Sequence, residues 1–73
     1  MKKYLTAILN KEDDMYVALC PELDIASQGR TVEEAKRNLS EAVELFFETA
    51  SPEEIDERLK TEIFISPLEV AIA

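Results

Sequence analysis

Between residues 32 and 46 the apolar side chains of Val32, Ala35, Leu39, Ala42, Val43 and Phe46 recur at spacings of three and four. That period lays them along one stripe of an α-helix. Thr31, with Glu34 three residues later, supplies a capping box: the Thr hydroxyl accepts from the Glu34 amide, and the Glu34 carboxylate reaches back to the Thr31 N–H. Burial of the stripe contributes on the order of 10 kcal/mol, whereas ordering some eighteen residues costs about 1.5 kcal/mol apiece. The helix therefore needs a sheet to lie on. Leu45 and Phe47 fall off the stripe, and a second element such as the C-terminal segment is expected to cover them.

On either side of this helix the period changes. Residues 4–9 alternate, with Tyr4, Thr6 and Ile8 on one face and Leu5, Ala7 and Leu9 on the other. Apolar groups on both faces predict a strand at a central position in the sheet. A polar link, residues 10–14, leads into a second strand over residues 15–19, with Met15, Val17 and Leu19 on one side, so the two form an antiparallel hairpin. Pro21 ends that strand, and residues 25–28 form a short third one. Gly29, the only glycine, is expected to hold a backbone geometry that other residues avoid.

After the long helix, Ser51, Pro52 and Glu54 repeat the start signal and predict a short helix over Pro52–Leu59, with Ile55 and Leu59 facing the core. Residues 61–73 are strand-like and divided by Pro67. Residues 62–66 are expected to join the sheet, and residues 68–73 to continue beyond it. Fully extended, the segment spans about 40 Å, against a diameter of roughly 30 Å for a globule of this length. Leu68, Val70 and Ile72 are accordingly candidate contacts for a homodimer or higher homo-oligomer. The whole reads as one α+β domain over residues 1–73, with two layers: a small antiparallel sheet in the order β-β-β-α-(α)-β, packed on one long helix.

Charge narrows the partners. Sixteen acidic against eight basic residues leave a net charge of −8, which repels a phosphate backbone and favours a basic protein. Cys20 is the only cysteine and there is no histidine, so no internal disulfide, zinc set or His-dependent triad is available. Cys20 is expected to be a small buried hydrophobe. Asp13 and Asp14 read as solvated turn formers, and no spaced calcium-loop ladder is present. The N-terminal MKKYLTAIL is broken by Thr6 and Asn10 and has no signal-peptide core or cleavage site. No run is long enough to span a bilayer, and a cytoplasmic location is expected.

The ordered strings Tyr16-Val-Ala-Leu-Cys-Pro-Glu-Leu, Ser27-Gln-Gly-x-Thr, Glu33-Glu-Ala and Asn38-Leu-x-Glu-Ala resemble the HicB-like family of small antitoxin proteins, over roughly residues 4–47. The resemblance implies a partial ribonuclease-H-like fold. It also implies a partner, a small basic HicA-type toxin that cleaves messenger RNA and has a double-stranded-RNA-binding-like fold. Many members of that family carry a further DNA-binding module. None is visible in these 73 residues, so repression of an operon is expected to need a separate protein. The family's fold is truncated relative to a complete ribonuclease H site, and no catalysis, metal or cofactor is expected.

Two groups of carboxylates are candidates for contact with a basic partner. Glu22 and Asp24 sit beside Pro21 in a connection with no structural duty visible in the sequence. Glu41, Glu44 and Glu48 line the helix toward a C-terminus whose dipole disfavours them. Two other readings stay open: a homo-oligomeric structural or regulatory module with no toxin, and a small-ligand domain with a pocket between sheet and helix.

Overall fold

The computed structural model describes residues 4–73; the two lysines of the N-terminal run lie outside the described residues. Three strands, β1 (Ile8–Glu12), β2 (Met15–Cys20) and β3 (Ile25–Gly29), are followed by two helices, α1 (Val32–Thr49) and α2 (Pro52–Leu59). The fold is α+β: an antiparallel sheet in the order β1-β2-β3, with α1 packed across it.

Both helices begin where their caps predict. Thr31 Oγ1 accepts from the Glu34 amide at 3.0 Å, and Ser51 Oγ accepts from the Glu54 amide at 3.1 Å. The returning Glu34 carboxylate takes the N–H of Arg30, at 3.4 Å, rather than that of Thr31. Ala35 and Leu39 of the stripe are buried, and Val43 and Phe46 pack against the core. Val32, at the helix start, stays exposed. Phe47 lies edge-on to Phe46, 5.6 Å between ring centres, and also meets the core. Leu45 remains exposed; residues 61–73 do not cover it.

The first strand keeps the expected faces, Leu5, Ala7 and Leu9 toward the core, but differs from expectation in extent and place. It starts at Ile8 and continues through Glu12, so the hairpin closes on two residues, Asp13 and Asp14, between the paired Glu12 and Met15. Asp13 adopts φ 54°, a left-handed conformation that Asp tolerates better than most residues. The strand is also at an edge: β2 is the central strand, bonded on both sides.

The inner face of β2 carries its small residues. Ala18 and Cys20 are fully buried under α1, with Tyr16 alongside, while Val17 and Leu19 lie on the opposite face and are half-buried. The reason is proximity, because a helix approaching a sheet closely leaves room only for short side chains.

Gly29 belongs to the same close approach. Its φ is not positive. A Cβ at this position would instead stand 2.5 Å from the Ala35 nitrogen and 2.8 Å from the Glu34 carbonyl carbon. Asn38 draws the elements together nearby, donating to the Gln28 carbonyl at 2.8 Å.

Beyond α2, residues 61–73 pair with no strand and every one of them is exposed. The expected strand over residues 62–66 is not formed within the chain. The molecule measures 50 × 28 × 19 Å, with a radius of gyration of 14.4 Å, against about 11 Å for a compact chain of this length.

Candidate functional site

The Cys20–Ile25 connection is built around Leu23, which is fully buried and whose amide donates to the Cys20 carbonyl at 3.3 Å. Burying Leu23 turns its two neighbours in different directions. Asp24 takes φ 54° and stays exposed. Glu22 turns toward the segment before β1, where its carboxylate accepts from the Thr6 amide at 3.1 Å and from the Thr6 hydroxyl at 2.6 Å. The Cys20 thiol completes the set, donating to Glu22 Oε1 at 3.6 Å. Glu22 thus has a structural duty that its sequence position does not reveal: it ties residues 4–7 to the end of β2.

Burial pushes the Glu22 carboxyl up, but the bonds from the Thr6 hydroxyl and the backbone amides outweigh it and hold the group below its ordinary range. Burial, together with the nearby Glu22 charge, raises the Cys20 thiol, so at neutral pH it is a proton donor and not a nucleophile. Because Glu22 loses its proton at lower pH in the folded chain than in the unfolded one, its contribution is complete above the ordinary carboxylate range. That contribution is lost as pH falls through the folded value. Glu22→Gln is expected to cost about 1 kcal/mol at neutral pH, and the gap to wild type is expected to narrow as pH falls below the ordinary carboxylate range. Urea unfolding of both proteins across this range checks it; a gap that stays constant with pH would remove the ionised carboxylate from the account.

Glu41, Glu44 and Glu48 share an exposed stripe of α1. Among the described residues, the ion pairs are confined to α2 and its C-cap: Arg58 with Glu54 at 3.5 Å and Lys60 with Glu57 at 3.9 Å. The last turn of α1 has no basic residue, and among the described residues none of the three carboxylates is in an ion pair; Arg37 stands four residues before Glu41 on the same helix. Ser40 donates weakly to Glu44 at 3.5 Å.

One groove runs between α1 and the segment before β1. It encloses about 590 Å³ and is lined by Leu5, Ala7, Leu39, Val43 and Phe47, with Lys36, Ser40 and Glu44 among its polar groups. Thr6 and Cys20, the partners of Glu22, line it as well. Glu44 therefore lines this groove and Glu22 is bonded to two of its lining residues, while Asp24, Glu41 and Glu48 are not part of it. Among the described residues no three His, Cys, Asp or Glu side chains converge as a metal site requires, and no helix is long and apolar enough to cross a membrane.

Arg58 carries no signal in the sequence beyond its place on a helix. Its guanidinium donates to the Leu23 carbonyl and stacks 4.9 Å from the centre of the Phe46 ring. It pins α2 to the turn that holds Glu22 and Asp24.

No family model matches the chain, and no solved structure matches it. Similar proteins do exist. A UPF0150 protein of Helicobacter pylori is 36% identical over 70 residues, which cover 94% of this chain and 97% of that protein. A UPF0150 protein of Synechocystis is 39% identical over 69 residues, covering 92% and 86%. A second from Synechocystis is 48% identical over 50 residues, covering 66% and 69%.

Proposed function

The chain belongs to the UPF0150 family, and from that premise we propose that it acts as a HicB-type antitoxin. It binds a small basic HicA-type ribonuclease in the cytoplasm and covers that enzyme's RNA-binding surface. The observation that carries this reading is the exposed acidic stripe of Glu41, Glu44 and Glu48 on α1, none of which is in an ion pair among the described residues. An RNA-cleaving toxin must present cations to phosphates, and a row of carboxylates fixed on a helix competes for the same cations. Asp24 is placed to extend the contact, and Glu22 contributes by holding its turn in shape. The mechanism is steric and electrostatic, with no bond made or broken and no nucleic acid bound directly.

The test begins with co-expression of the chain with small basic proteins encoded beside it. The expected result is a stoichiometric complex that suppresses RNA cleavage and weakens as salt rises. The triple variant Glu41→Lys, Glu44→Lys, Glu48→Lys is expected to bind at least about tenfold more weakly with unchanged helical circular dichroism. Wild-type affinity in that variant, or no complex at low salt with any neighbour, would overturn the proposal.

The apolar groove favours one other reading, a domain that holds a small apolar ligand. Its open side would leave such a ligand partly in water.

A further inference from the structure

α1 lies over β3 and β2 and reaches β1 only marginally. The helical layer thins toward that edge of the sheet, and the groove of Leu5, Ala7, Leu39, Val43 and Phe47, between α1 and residues 4–7, stays open. The same segment lacks a strand partner. Glu22 holds the Thr6 amide, and among the described residues no backbone-to-backbone hydrogen bond reaches residues 4–7. An apolar recess next to an unpaired stretch of backbone at a sheet edge suits an extended peptide, which satisfies both at once.

The chain itself contains such a peptide. Residues 61–73 carry Ile63, Phe64, Ile65, Leu68, Val70 and Ile72, all exposed, with Phe64, Leu68 and Ile72 at 86–89%. Leu68, Val70 and Ile72 alternate with Glu69 and Ala71, the pattern of a strand with one covered face. No glycine follows Gly29, and Pro67 keeps Ser66 extended, so the segment has no signal for a tight return to its own globule. It projects instead, and gives the molecule its 50 Å axis.

We propose that residues 61–73 of a second copy occupy this groove, reciprocally about a two-fold axis, with Leu68, Val70 and Ile72 against Leu39, Val43 and Phe47. Lys36 is the cation among the groove residues, and the entering segment brings Glu62 and Glu69. The area is sufficient: Leu68, Val70 and Ile72 of the two tails together bring roughly 800 Å² of exposed surface, and the two grooves they cover add a comparable area, which reaches the ~1,200–2,000 Å² of a standard interface. The exchange does not depend on the toxin reading.

Sedimentation of the full chain at about 100 µM is combined with isotope-filtered NOE spectra of a mixture of carbon-13-labelled and unlabelled copies. The expected result is a dimer with intermolecular NOEs from the Leu68, Val70 and Ile72 methyls to the Phe47 ring. Leu68→Asp with Ile72→Asp is expected to weaken the dimer at least about a hundredfold. Its amide spectrum for β2, β3 and α1 is expected to remain dispersed, because Leu68 and Ile72 are 86% and 89% exposed in their own chain. A monomer, tail-to-groove NOEs within one chain, or a dimer whose tail NOEs lead to the outer face of the sheet would each overturn the assignment. So would displacement of the tail signals by a small apolar ligand carried through purification.

Discussion

Gly29→Ala is expected to destabilise the protein by about 3 kcal/mol, at the upper end of what overpacking costs. The new methyl would meet the Ala35 nitrogen at 2.5 Å, the Glu34 carbonyl carbon at 2.8 Å and the Glu34 Cβ at 2.9 Å. These atoms form the first turn of α1, which the Thr31 cap and the Gln28–Asn38 hydrogen bond hold in place. The neighbour is thus a helix and not a flexible side chain, so relief requires α1 to move off the sheet. An alanine is favoured by the smaller entropy of its unfolded chain, but only by about 0.4–1 kcal/mol. A chain of 73 residues has roughly 4–11 kcal/mol of total stability, so the melting temperature should fall by about 15 °C or more. Thermal and urea unfolding measure this directly. Gly29→Asn separates the two possible causes, because a left-handed site would accept Asn, whereas a contact site rejects it at least as strongly as Ala. Alanine within about 0.5 kcal/mol of wild type would mean that the helix does not sit where the distances place it.

Leu23→Ala is the second large effect, at about 3 kcal/mol within the usual range for a buried leucine. Leu23 lies in a connection, yet its side chain is fully buried with Ala18, Cys20, Ala35 and Leu39. Those neighbours are mostly small, and a cavity left among them has little long side chain to collapse into it. The loss should spread locally as well. Arg58 anchors α2 through the Leu23 carbonyl, and Leu59 packs against the same core, so amide exchange in α2 should accelerate more than in α1. Leu45→Ala, at a site 58% exposed, serves as the control and should cost less than about 0.5 kcal/mol. Equal costs at positions 23 and 45 would contradict the core as described.

The helices were the legible part of this chain. Caps and the three-to-four spacing are local, and both helix starts lie where Thr31 and Ser51 predict, α2 spanning Pro52–Leu59 as expected. The stripe that carries Glu41, Glu44 and Glu48 to the surface followed from the same period. The antiparallel pairing of the first two strands was also readable, from the short polar link between alternating runs.

The bounds of β1 were not, because residues 4–7 suit a strand as well as residues 8–12 do. Register was decided by pairing with β2, which starts at Ile8 with Leu19. The inner face of β2 was hidden too. Val17 and Leu19 are the larger hydrophobes, but Ala18 and Cys20 are the residues that fit beneath a close helix. Glu22 and Thr6 stand sixteen residues apart, and nothing in either one's neighbourhood announces the bond. Gly29 was recognised as special for the wrong reason, since its constraint comes from a helix packed over it and not from its own φ.

The sequence by itself determined the class of fold, the two helices, the hairpin order and the acidic stripe, because each rests on interactions among residues a few positions apart. Only the tertiary structure decided which strand is at the edge, which face of β2 is the core, what Glu22 does and why position 29 is glycine. It also decided that residues 62–66 form no strand within the chain, so that the whole of residues 61–73 is exposed, with six large apolar side chains. Each of these depends on which surfaces meet in three dimensions, and burial is a property of that meeting rather than of any residue alone.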